Sequence, residues 1–171
     1  KERRIYELSQ VEDVPNHLPV QLPFRHLCNL LQINNGNIAE ALDAFGSQLS
    51  DEARNRAEIR AKCAWTWITN HAPEDFRFAL KGPDDPLFAL EDAESRAVVM
   101  LREELKARFA EHTEESLGTY FYGLVETTGV QAKDLYRLMY QVLLGRERGP
   151  RLAGFILTAG PERILPILDR Y

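Results

Sequence analysis

The sequence predicts an all-α protein, a helical cage or bundle of about eight helices with short connections. Three observations carry that reading. Apolar residues recur at three- and four-residue spacing along most of the chain. Cap residues and Gly or Pro stops fall where those runs begin and end. No pair of alternating runs offers a sheet; only Phe76-Arg77-Phe78-Ala79-Leu80 alternates, and it has no partner run, so it is at most an isolated strand.

The first periodic run opens at Leu22-Pro23-Phe24, with Pro23 near the first position, where its missing N–H costs nothing. Phe24, Leu27, Cys28 and Leu31 share one face, and Asn34-Asn35-Gly36 stops the helix. Asn37 caps a short second helix with Ile38, Ala41, Leu42 and Phe45 inward, ended by Gly46. Ser50 and Asp51 cap a third, roughly 52–70. Its narrow stripe of Ala57, Ala61, Ala64 and Ile68 lets another helix come close, and Arg56, Arg60, Cys63 and Trp67 make a second stripe on another face.

Residues 73–89, with Pro73, Gly82, Pro83 and Pro86, read as a Pro-rich connector that Phe76, Phe78 and Leu80 tack to the core. The chain is thus one helical region, 1–171, or two helical subdomains, 1–72 and 90–171, joined by that connector. A long helix over roughly 90–110 follows. Thr113 caps the next, with Glu114 and Glu115 suiting the positive end of its dipole. Another runs from after Gly129 to Gly145. Pro150 and Pro161 read as first-turn prolines of two last short helices, and Pro166, about one turn into the second, threatens a kink.

Composition excludes more than it selects. The 171 residues are 44% hydrophobic and 27% charged, ordinary for a globular chain. No window approaches the ~20 apolar residues of a membrane span, and the start shows no signal-peptide apolar region. The opening run Lys1-Glu2-Arg3-Arg4 reads as a cut inside a longer chain or as a processed terminus. Cys28 and Cys63 read as free, buried thiols rather than a disulfide, which points to the cytoplasm. Net charge is −5, unhelpful for nucleic acid, but residues 1–129 carry a balance of −8 and residues 130–171 one of +3. That basic end guides an RNA backbone or is an ordinary solvated face.

No constellation for catalysis is visible. His17, His26, His71 and His112 include no i, i+4 pair for a metal, and there is no CxxC. Phosphate-loop, dinucleotide and nucleophile-elbow motifs are missing too. Glu103-Glu104 and Glu114-Glu115 are adjacent on helices and point apart, so they read as solvated faces and dipole charges.

Three stretches, taken in order, resemble one family. They are Leu22-Pro23-Phe24-Arg25-His26-Leu27 running on to Leu31-Gln32-Ile33; Trp67-Ile68-Thr69-Asn70-His71-Ala72-Pro73-Glu74; and Tyr140-Gln141-Val142-Leu143-Leu144-Gly145-Arg146-Glu147-Arg148-Gly149-Pro150-Arg151-Leu152, followed by Phe155. Arg4-Ile5-Tyr6-Glu7-Leu8 is familiar as the segment leading in. Together they resemble the C-terminal helical, anticodon-binding region of class I lysyl-tRNA synthetases. The resemblance implies a parent chain that joins lysine to its tRNA using ATP and Mg, on an N-terminal α/β core with His-x-Gly-His and Lys-x-Ser-Lys signatures. Neither signature occurs here, so no catalytic residue carries over. It implies lysine tRNA, through its anticodon arm, as partner, beside the chain's own N-terminal catalytic core and no membrane.

Unpaired bases are held by stacking on aromatic or guanidinium planes and by hydrogen bonds to their edges, and the phosphates between them need Arg or Lys. Three places have that chemistry. Arg146, Arg148 and Arg151 flank Gly149-Pro150 at a helix start, where they contact RNA or cover the preceding helix end. Arg56, Arg60 and Trp67 share a stripe, with Trp67 a stacking platform or a core residue. Arg25 and His26 stand beside the apolar face of the first helix as RNA contacts or as a surface pair. The rival reading from another class is an α-helical protein-interaction scaffold without an RNA role.

Overall fold

The structure, a computed structural model, describes residues 2–9, 20–46 and 49–171. Among them are nine α-helices: α1 (Glu2–Ser9), α2 (Phe24–Ile33), α3 (Ile38–Asp43), α4 (Asp51–Asn70), α5 (Asp92–Arg108), α6 (Glu114–Thr128), α7 (Ala132–Leu144), α8 (Leu152–Ala159) and α9 (Pro161–Leu168). A single 3₁₀ turn, Phe109–Glu111, follows α5. The helix that periodicity did not single out is α1. Lys1, where the opening run begins, and His17 lie outside the described residues. The described residues form no strand, so Phe76–Leu80 is a lone irregular segment.

The caps explain most helix boundaries. Asn37 and Ser50 accept from the backbone N–H groups of Glu40 and Ala53, both at 3.3 Å. Thr113 and Ser116 satisfy each other's backbone N–H groups at the start of α6. Gly129 and Gly145, in left-handed conformation, end α6 and α7. Pro161 is a first-turn proline, but Pro150 is not: it precedes Arg151, the N-cap of α8. Its fixed φ shapes the turn before the cap instead. α9 continues through Pro166 to Leu168. At the α5–α6 corner, Arg108 and His112 both bond the Glu104 carboxylate, at 2.6 and 3.0 Å. The Arg108 guanidinium, ahead of any other cause, holds that carboxyl below its usual range.

The helices bury two apolar clusters. α2, α3 and α4 close around Leu27, Leu31, Leu42 and the alanine stripe Ala57, Ala61 and Ala64, whose small side chains let α2 and α4 approach. α5 to α9 enclose the larger one, with Leu101, Leu117, Phe121, Leu138, Met139 and Ile164 at its centre. Ile33, from the end of α2, joins the larger cluster, and α2 also touches α8. Burying one leucine fully stabilises by roughly 1.5–3 kcal/mol. Ion pairs in open solvent, such as Arg54–Asp43, are screened by water and add little beside this, so packing and not surface charge holds the fold. Cys28 lies in the first cluster, and burial pushes its thiol up to about 11. Cys63 is free but exposed on α4, against the buried position expected for it. Its helix turns the alanine stripe inward and this residue out.

The turn between α2 and α3 needs Asn35 at φ +49° and Gly36 at φ +82°. Gly36 lies flat on the Trp65 indole, where a β-carbon would fall 2.5 Å from Cε2. Gly36→Ala is therefore expected to destabilise the protein by about 3 kcal/mol, from left-handed strain and overpacking together. Gly123→Ala, in the interior of α6 with open space around it, should instead stabilise by about 0.5–1 kcal/mol. Urea unfolding midpoints check both.

Candidate functional site

The two clusters meet along a cleft of about 720 Å³. One wall is the start of α2, with Arg25, His26 and Asn29. The opposite wall is the α7–α8 turn and α8 itself, with Pro150, Arg151, Gly154 and Thr158. Connector residues Asp75, Phe76 and Phe78 line it, and Glu114 enters from the start of α6. Phe78 meets the buried Phe155 ring edge-on, 5.6 Å between centroids, so the cleft has an aromatic lining as well as polar groups.

Two of the three sequence-predicted places therefore converge. Arg25 and His26 lie more than a hundred residues from Arg146 and Arg151 in sequence, yet all four line one cleft. Arg25, His26 and Arg151 are exposed, Arg151 with 93% of its side chain open. The His26 ring rests edge-on against Phe45. Arg146 differs. Its guanidinium donates to the backbone carbonyls of Arg77 and, at 3.3 Å, Glu74. It fastens the connector to the α7–α8 turn, so two of its donors are committed to the protein's own backbone. Arg148 is exposed and does not line the cleft.

The turn that carries Arg146 and Arg151 is tightly built. Tyr140 donates its hydroxyl to the Pro150 carbonyl at 2.6 Å. A β-carbon on Gly149 would come within 2.9 Å of the Tyr140 ring and 2.7 Å of Leu144. Only a residue without a side chain fits between them, and burial pushes the Tyr140 phenol up from its ordinary value.

The third place stands apart. Trp67 is half-buried on the first cluster, with edge contacts to Phe24 at 5.5 Å and Phe76 at 5.0 Å. Arg56 and Arg60 are on the exposed face of α4, and Arg60 reaches the Leu22 carbonyl at 3.5 Å. None of the three lines the cleft. Sequence reasoning missed Glu114, Asp75 and Gly154 as cleft residues. Glu114 carried a signal, as a charge at a helix start, but nothing in the spacing shows which groove that helix start faces.

No family model matches the chain. Comparison with known proteins nonetheless finds it similar to lysine–tRNA ligases along its whole length. It is 40% identical over 172 residues to the lysine–tRNA ligase of Treponema pallidum, covering 100% of this chain and 32% of that protein. It is 32% identical over 169 residues to that of Borreliella burgdorferi, covering 99% and 32%. With the enzyme of Methanopyrus kandleri the identity is 29% over 177 residues, covering 96% and 32%. The chain thus spans about a third of the length of the curated relatives it matches. The resemblance to class I lysyl-tRNA synthetases holds from one end of this chain to the other.

Stability measurements separate fastening residues from exposed ones. Arg146→Ala is expected to cost about 2 kcal/mol, because two backbone carbonyls lose a charged donor. Arg148→Ala should stay within about 0.5 kcal/mol. Trp67→Ala should cost about 2–3 kcal/mol, since the ring fills the edge of a core. Chemical denaturation of each variant reads all three.

Proposed function

We propose that this chain is the tRNA-binding part of a lysine–tRNA ligase. In this reading it meets the anticodon arm of lysine tRNA in the cytoplasm. A catalytic core outside these residues joins lysine to the tRNA with ATP and Mg. The observation that carries the reading is the cleft itself, which gathers Arg25, His26 and Arg151 in a chain that matches lysine–tRNA ligases over its full length. Arg25 and Arg151, on facing walls, suit successive phosphates, and the Phe78 side gives an unpaired base an apolar surface. The overall charge of −5 does not oppose this, because the two exposed guanidinium groups act at short range while distant charges are screened within about 8 Å at physiological salt.

The roles then divide. Arg25, His26 and Arg151 contact RNA. Arg148 adds charge near the rim, and Arg146 holds the connector in place. Arg56 and Arg60 on α4 form a separate basic face that reaches a more distant part of the tRNA, with Trp67 supporting α4 from beneath. Residues 1–72 and 90–171 act as two subdomains whose junction is the binding cleft. No helix among the described residues is long and apolar enough to cross a membrane, and the reading requires none.

The test is binding of an anticodon stem-loop at a series of salt concentrations. Single-stranded contacts weaken with salt at a slope of about −0.7 per phosphate neutralised. Replacing Arg25 and Arg151 together by alanine should make the slope shallower by about 1.4 and lower affinity at every salt concentration. A double variant with the slope of the unaltered protein would remove the cleft from the reading.

A further inference from the structure

A cleft made only for phosphates would be lined by cations, yet this one also holds the carboxylates of Glu114 and Asp75. A carboxylate accepts hydrogen bonds and repels phosphate, so its presence asks for a donor on the ligand. Glu114 is the better placed of the two. It is the first residue of α6, and its carboxylate lies against α8, 3.2 Å from where a β-carbon on Gly154 would be. Gly154 has no side chain to cover it, and the Arg151 guanidinium stands 4.0 Å away. The wall therefore offers an acceptor between a cation and an aromatic lining, an arrangement for the edge of a base and not for a backbone anion.

We propose that Glu114 accepts the imino N–H of an unpaired uracil held in the cleft, with Arg25 and Arg151 taking the phosphates beside it. This rests on the lysine-tRNA reading above. Lysine codons are AAA and AAG, so the last two anticodon bases are both uracil. Uracil carries a proton on N3; cytosine presents a bare N3 acceptor there, which a carboxylate repels. Asp75 sits on the connector, on the side of the cleft that Arg146 fastens, and takes no part in this contact.

N3-methyluridine deletes the donor and leaves the rest of the base in place. The 171-residue protein is titrated against a labelled lysine anticodon stem-loop, unmodified and with each of the two uracils N3-methylated in turn. Methylation at one position should weaken binding on the order of tenfold, as expected for loss of a hydrogen bond to a charged group. Glu114→Ala should bind methylated and unmodified loops alike, and Asp75→Asn should keep the full discrimination. Glu114→Gln, which retains a neutral acceptor, should keep part of it. Should Glu114→Ala lose its helical circular dichroism, the Gln variant decides. Tight binding with no effect of methylation, or full discrimination retained without Glu114, overturns the assignment and leaves the anticodon reading standing. No binding of any loop by the folded protein overturns both.

Discussion

The shape of the cleft depends on how the connector's backbone finds hydrogen bonds. Residues 73–89 are neither helix nor strand, so their N–H and C=O groups have no regular partners. Side chains in and beside the flanking helices, and one lysine of the connector itself, supply many of them. Gln32, buried at the end of α2, accepts from the Phe78 N–H at 2.8 Å. Arg146 donates to Glu74 and Arg77, and Arg170 to Gly82 and Asp85. Lys81 bonds Leu143 through its backbone, and Pro86 and Tyr171 through its ammonium group, which also sits over the Phe88 and Tyr171 rings. The connector is therefore a strap that both clusters grip, and the cleft it lines takes its shape from that grip.

A second fastening crosses the junction without the strap. Arg163 of α9 donates to Asn34 at 2.6 Å and pairs with Glu40 at 3.0 Å, both beside the turn between α2 and α3. The cleft thus has ties of two kinds, the strap and this cross-brace. Arg25 takes no part in either tie, and Arg151, also exposed, stands 4.0 Å from the Glu114 carboxylate. A net count of charge misses this division of labour: Arg146, Arg163 and Arg170 spend theirs on the protein's own carbonyls and carboxylates, so a basic C-terminal stretch is not by itself a basic surface.

Local signals read well from the sequence because they are set within a turn or two. Asn37, Ser50 and Thr113 cap where their side-chain oxygens predict, and Gly129 and Gly145 end helices because left-handed backbone suits them. The buried faces follow the three-and-four spacing. What was not legible depends on which helix stands opposite. Trp67 and Cys63 share a stripe with Arg56 and Arg60, and only the packing of α2 and the connector decides that Trp67 is half covered while Cys63 is open. Likewise Arg146, Arg148 and Arg151 are one cluster in sequence and three different environments in space. Pro150 reads as a first-turn proline of α8 yet sits just before its N-cap, because a proline before an N-cap and a proline after it leave the same trace. Glu114 reads as a charge suited to its own helix, and its position against Gly154 is visible only once α6 and α8 are packed.

The cross-brace has a consequence for how the protein comes into being. Arg163 and its partners are 129 and 123 residues apart in the chain, and the Arg146–Glu74 contact spans 72. Contacts so distant close late, because the entropy of a long loop must be overcome before they return anything. The two helix clusters rest on nearer neighbours and can form early. On a ribosome, α2 would wait with its half of the cleft exposed until α8 and α9 had emerged, so the cleft is among the last features this chain acquires.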